Sequence, residues 1–242
     1  MRYNVHKIKH RNHILSITKI VLFLLFIFSF VMLATQILKV RHEQNAFLSL
    51  ATLVSETEQD FLLNKTNDNM YKQAAAEDRE QPLQQYEDIY EMNRDFVGWL
   101  RIPNTNIDYP VMFTPNDPEY YLHRAFDNTD SHCGTPFIGE NGNIDSDCFI
   151  IYGHNMKNGS MFKDIVRYKD PSYFKEHQYF SIYTPEREIR LKAVSCYYGE
   201  AKPIVRKTRF KSQEAFDEFV KEMIAPCSYA ETVEYPVKAL YT

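Results

Sequence analysis

One long apolar run and many short ones divide this chain. Ile20 to Leu38 (IVLFLLFIFSFVMLATQIL) holds no charge, and its length lets a helix cross a hydrocarbon core of about 30 Å. The run ends at Gln36-Ile37-Leu38-Lys39, without the small-residue cleavage pattern of a secretory signal, so an uncleaved anchor is predicted. Residues 41–85 are polar, rich in Gln, Glu and Ala, with two apolar patches at Phe47 to Val54 and Phe61-Leu62-Leu63. They read as a helical stalk or spacer.

Beyond this the apolar residues come in short blocks. Tyr86 to Asn93 has an approximate helical face in Tyr86, Ile89, Tyr90 and Met92. Phe96 to Ile102 alternates as strands do and breaks at Pro103-Asn104-Thr105, and Ile107 to Met112 reads as a second strand. Phe137-Ile138 makes another short strand. Phe149 to Tyr152 is a β-branched and aromatic block stopped by Gly153-His154, the pattern of a buried strand delivering a side chain to its end. Asn155 and Asn158-Gly159 then supply turn chemistry before a helix near Ser160 to Tyr168. Tyr179 to Thr184 and Glu188 to Tyr198 form a hairpin through Pro185-Glu186-Arg187. Ser212 begins a helix whose stripe of Phe216, Phe219, Val220, Met223 and Ile224 is core packing. Val233 to Thr242 resembles the start of a further strand. Many short strands with few helices predict a mainly β fold, a barrel or sandwich.

Charge sharpens this division. Six of the 28 basic residues and none of the 32 acidic ones fall in residues 1–40, leaving 22 against 32 beyond, a net −10. An acidic globular part excludes nucleic acid as a partner, because that interaction needs a basic footprint. Five basic residues precede the apolar run; the positive-inside rule then assigns residues 1–19 to the cytoplasm, 20–38 to the membrane and the rest to the outside. The expected organisation is a stalk over 39–85 and one domain over 86–242.

Candidate chemistry is sparse. A strand end fixes His154 while the loop leaves it accessible, which suits an acid–base group. His177 sits in a polar run and reads as a solvated helix-end residue; His123 and His132 lie in loops and offer nothing specific. The four cysteines form no C-x-x-C pair, and Cys133, Cys148, His132 and His154 lack zinc-ligand spacing. A Cys133–Cys148 disulfide stays open for an exported domain, while Cys196 and Cys227 read as small buried hydrophobes. No nucleotide-binding, metalloprotease or serine-hydrolase motif occurs, and no cofactor is expected.

Asn93-x-Asp95-Phe96-Val97-Gly98-Trp99-Leu100-x-Ile102-Pro103-Asn104-Thr105-x-Ile107-Asp108-Tyr109-Pro110-Val111 resembles the opening strands of class B sortases. Tyr120-Tyr121-Leu122 and Ile151-Tyr152-Gly153-His154-Asn155-Met156 through Gly159-x-Met161-Phe162 resemble the same family. The resemblance covers roughly residues 86–242. It implies an eight-stranded barrel and a membrane-anchored cysteine transpeptidase of a Gram-positive envelope. Such an enzyme cleaves a C-terminal sorting signal and joins the protein to an amine of peptidoglycan or a pilin. In it His154 matches the acid–base, and Leu122 with the loop 199–211 matches the substrate groove.

The family's nucleophile and oxyanion-binding arginine belong C-terminal to a helix like that at 212–225. The matching strand here is Val237 to Thr242, which holds neither, so the resemblance implies a barrel short of its last one or two strands. Cys227 lies some ten residues too early to replace the nucleophile. Cys196 precedes the helix, and Arg206 and Arg209 also fall before it. The alternative expectation is an inactive relative acting as an envelope binding or structural domain.

Overall fold

A computed structural model describes residues 2–67, 84–140, 142–199, 208–227, 229–233 and 240–241. The stalk residues 68–83, Arg206, most of the loop 199–211 and much of the C-terminal strand therefore lie outside the described residues.

Two compact units are present, Met1–Asn45 and Ala46–Thr242. Helix α1 (Arg2–Asn67) contains a segment long and apolar enough to cross a membrane. Between Ile20 and Leu38 its large apolar side chains are exposed, as a lipid-facing surface requires. Further along, the expected polar spacer behaves differently. Phe47, Leu50 and Val54 are buried in the cores of the second unit. Their spacing lays one apolar stripe along the helix, so this patch is domain packing and not stalk.

Within the second unit, α2 (Gln84–Met92) leads into β1 (Phe96–Arg101) and β2 (Asp108–Met112). After a 3-10 turn at Tyr120–His123 come β3 (Phe137–Ile138), β4 (Cys148–Phe149) and β5 (Ile151–Tyr152). Next are a 3-10 helix over Phe162–Lys169, the short α3 (Pro171–Glu176), and the hairpin β6 (Tyr179–Tyr183) and β7 (Glu188–Lys192). The chain continues through β8 (Ser195–Cys196), α4 (Gln213–Ile224), β9 (Tyr229–Ala230) and β10 (Leu240–Tyr241). The main sheet runs β5-β3-β2-β1-β6-β7 and curls into a half-barrel with a few short helices.

The two central strands are largely buried. Trp99, in the middle of β1, is fully buried, and its indole Nε1–H donates to Asp108 Oδ1 at 2.6 Å. Arg101 Nε donates to the same oxygen at 2.9 Å, so one carboxylate satisfies two donors across the β1–β2 pair. The block read as a single strand from Phe149 to Tyr152 is two. β4 pairs with β10, in parallel, whereas β5 pairs with β3, and the chain changes sheets at Ile150. The α4 stripe packs as expected: Phe216, Phe219 and Val220 close on Cys148, and the Ser212 side chain caps the helix by accepting from Ala215 N–H. All four cysteines are free thiols.

Candidate functional site

β5 ends at Tyr152, and the residues after it are fixed on every side. Tyr152 stacks on Phe137 of β3, ring centroids 5.6 Å apart. Gly139 leaves the space for that ring, since a Cβ there would lie 2.3 Å from Tyr152 Cε2. Gly153 lets the Phe162 ring lie against the backbone, where a Cβ would meet it at 2.7 Å. Beyond it, residues 154–162 form a closed loop. Phe162 N–H donates to His154 O at 2.9 Å, and Gly159 N–H to Met156 O at 3.2 Å. Asn158 Oδ1 accepts from both the backbone and the hydroxyl of Ser160, the local turn chemistry that Asn provides. Met161, at φ 56°, is held by burial of its side chain and by a hydrogen bond from its N–H to the Tyr109 hydroxyl.

His154 is half-buried and lines a cavity of about 430 Å³ with Asp117, Glu119, Leu122, Glu140 and Tyr152. His154 and Leu122, singled out separately in the sequence, thus share one site. The segment bearing Leu122 is as rigid as the histidine loop. Tyr121, fully buried, accepts from Asn93 Nδ2 at 2.9 Å, and its hydroxyl lies 2.9 Å from Asp95 Oδ2 and Asn128 Oδ1. Gly134, at φ +60°, brings its loop so close that a Cβ would meet Leu122 O at 2.4 Å; only glycine serves there.

Burial lowers the pKa of His154 below its ordinary value, and the nearby His123 and His132 push the same way. A hydrogen bond with the Cys133 backbone opposes them. The balance favours a neutral imidazole, ready to accept a proton.

The other candidates lie elsewhere. None of the four cysteines lines the cavity. Cys148 is buried among the α4 side chains, where burial, aided by Asp147, pushes its thiol up to about 11. Burial also raises the Cys196 thiol, with Cys227 adding to the effect. A thiol held protonated is a poor nucleophile. Cys227 lies in the turn just after α4, its Sγ 3.4 Å from Met223 O. Arg209 is exposed.

Two histidines differ from their sequence reading. His177 is buried, not solvated: it comes directly after α3, stacks on Tyr173 at 3.9 Å and bonds through Nδ1 to Tyr173 O. His123, unremarkable in sequence, lies with its ring centroid 5.5 Å from that of His154. Its place directly after Leu122 was the available signal. Among the described residues, no group of three or more His, Cys, Asp or Glu is arranged to hold a metal.

No family model matches the chain. A curated relative, sortase B of Listeria monocytogenes serovar 1/2a, is 31% identical over 150 residues, 61% of this chain and 60% of the relative. A solved sortase B from Listeria monocytogenes is 30% identical, with a TM-score of 0.55, covering 61% of this chain and 85% of that one. The Staphylococcus aureus sortase B–substrate complex has a TM-score of 0.66 at 20% identity, over 81% of this chain and 84% of that one, a likeness in fold. The curled half-barrel with its strand-end histidine is therefore a sortase domain. Within that class, the chain belongs to the class B sortases. It spans 57 to 60% of the length of the curated relatives it matches.

Proposed function

We propose that this protein is a membrane-anchored cysteine transpeptidase that cleaves a C-terminal sorting signal and transfers the product to an amine of peptidoglycan or a pilin. The observation that carries this reading is a half-buried His154, with a lowered pKa, at a strand end facing a cavity. That cavity also takes in Leu122, the other residue matched to the family's groove.

The chemistry asks two things of His154 in turn. The neutral imidazole takes the proton of a cysteine thiol as the sulfur attacks the scissile carbonyl carbon. It then gives that proton to the leaving amine as the C–N bond breaks, leaving a thioester. In the second half, the acceptor amine attacks the thioester and His154 removes its proton. The C–S bond breaks, and the thiol is restored when His154 returns the proton. Among residues 1–242, no cysteine stands on the strand where the family resemblance expects the nucleophile; His154 is the acid–base member of the pair. The apolar helix fits the role of anchor, with residues 1–19 cytoplasmic and the domain outside.

The test uses membranes bearing the protein expressed from its own coding region. They are incubated with a fluorogenic sorting-signal peptide and an amine acceptor. Peptide release that is lost on thiol alkylation and in His154→Ala supports the proposal. Release unaffected by His154→Ala, or no release from folded protein across a panel of sorting peptides, overturns it.

A further inference from the structure

Two imidazoles stand side by side at the site, and only one has a role so far. His123 belongs to the 3-10 turn Tyr120–His123, and its ring is tilted 40° from that of His154 across 5.5 Å. The contact joins segments about thirty residues apart, and both are rigidly held. On one side, the His123 carbonyl accepts from Ser131 N–H at 2.9 Å, and the preceding Tyr121 is locked by its buried hydroxyl network. On the other, the 154–162 loop is closed by the hydrogen bond between Phe162 and His154.

We propose that His123 is a positioning residue for His154, a neighbour whose own charge decides how readily the acid–base imidazole takes up a proton. The inference rests on the reading of His154 as the acid–base group and adds a device that sets its operating range. Two cations this close repel, so a charge on His123 disfavours a second one on His154. The field at His154 has the same direction, since after burial the largest influence lowering its pKa is His123.

The other groups around His154 do not replace this influence. His132, itself exposed on the 131–135 loop, pushes the same way but ranks below His123. Asp117 and Glu119, before the turn, and Glu140, after β3, line the cavity; their carboxylates favour a cation, yet none is among the influences that set the shift. Tyr152 closes β5 two residues before the histidine and stacks on Phe137. Arg124, the next residue after His123, is engaged with Asp130 at 3.2 Å and with the Tyr120 ring. His123 is exposed, so water and salt weaken its field and the effect is modest.

The experiment monitors His154 itself. The full chain, in detergent micelles with isotope-labelled histidine, is titrated by NMR, and His154 is assigned by the signal lost in His154→Gln. In His123→Gln the midpoint of His154 is expected to rise by roughly half a pH unit. In His123→Lys, which keeps a fixed charge there, it is expected to fall below that of His123→Gln. Adding salt should shrink both differences. A His154 midpoint identical in wild type and His123→Gln overturns the proposal. So does a shift of the same sign and size in the Gln and Lys variants, the mark of a structural disturbance. If the Lys variant fails to fold, the Gln variant and its salt dependence decide. Because the readout is protonation and not turnover, failure here leaves the catalytic reading standing, and loss of that reading leaves this coupling measurable.

Discussion

The hydroxyl of Tyr109 on β2 accepts a 3.0 Å hydrogen bond from the backbone N–H of Met161, the residue that turns the histidine loop into the following 3-10 helix. The Tyr109 ring in turn meets Phe47 edge-on at 5.3 Å. A sheet residue, a helix residue and the loop that carries His154 thus form one packed chain of contacts.

Removing the hydroxyl tests this chain at its centre. Tyr109→Phe keeps the ring but leaves the buried Met161 N–H without its acceptor, which costs about 1–3 kcal/mol. Denaturant unfolding should show that loss, and hydrogen exchange should show faster exchange at the Met161 amide. Unchanged protection there would mean that the loop does not depend on Tyr109.

Two of the close-approach glycines, Gly134 and Gly153, should differ in kind. At Gly134 an added Cβ meets backbone oxygen atoms of Leu122 and Tyr121, and φ is +60°; nothing there can move aside without displacing the 3-10 turn. At Gly153 the obstacle is the Phe162 ring, a side chain that can be trimmed. Both alanine variants are expected to lose roughly 1–3 kcal/mol or more. Only Gly153→Ala should recover part of that loss when combined with Phe162→Leu, as thermal melts of the double variants would reveal.

Stability should also track the protonation of His154. Its folded pKa lies below the ordinary 6.5, so in the window between those two values the unfolded chain binds more protons than the folded one. Stability is then full above the ordinary value and falls as pH drops through the window. His154→Gln removes this contribution. Urea unfolding from pH 7.5 to pH 5 should therefore give a shallower slope for the variant than for wild type, and equal slopes would contradict the lowered pKa.

Thiol reactivity should rank the cysteines by their surroundings. Cys148, buried and with its thiol pushed up to about 11, is expected to resist iodoacetamide at pH 8 until the domain unfolds. Mass spectrometry of peptides labelled before and after denaturation provides the check. Rapid native labelling of Cys148 would mean that α4 opens readily from β4.

Local patterns carried much of the fold. The apolar blocks over 96–102 and 107–112, separated by Pro103-Asn104-Thr105, specified β1 and β2, whose residues are mostly buried. The turn at 185–187 specified the hairpin of β6 and β7, and Ser212 with its apolar stripe specified α4. These depend on a residue and its near neighbours along the chain, so the sequence alone could determine them. The same holds for His154, whose loop is shaped by its own Gly153, Asn158 and Gly159.

Tertiary structure decided what those elements meet. Phe47, Leu50 and Val54 form a stripe on a polar helix, but only the presence of two core clusters to receive it makes the segment part of the domain. Phe149 to Tyr152 is apolar throughout, and nothing within it records that β4 and β5 take different partners. His177 is polar in its local run yet buried, with the Tyr173 ring stacked on it and the Tyr168 hydroxyl donating to its carbonyl. The pairing of His123 with His154 joins two loops whose meeting is set by the sheet and by the close packing at Gly134. Apolar periodicity encodes which face of an element is buried; partners distant in sequence are chosen only when the whole set of faces closes together.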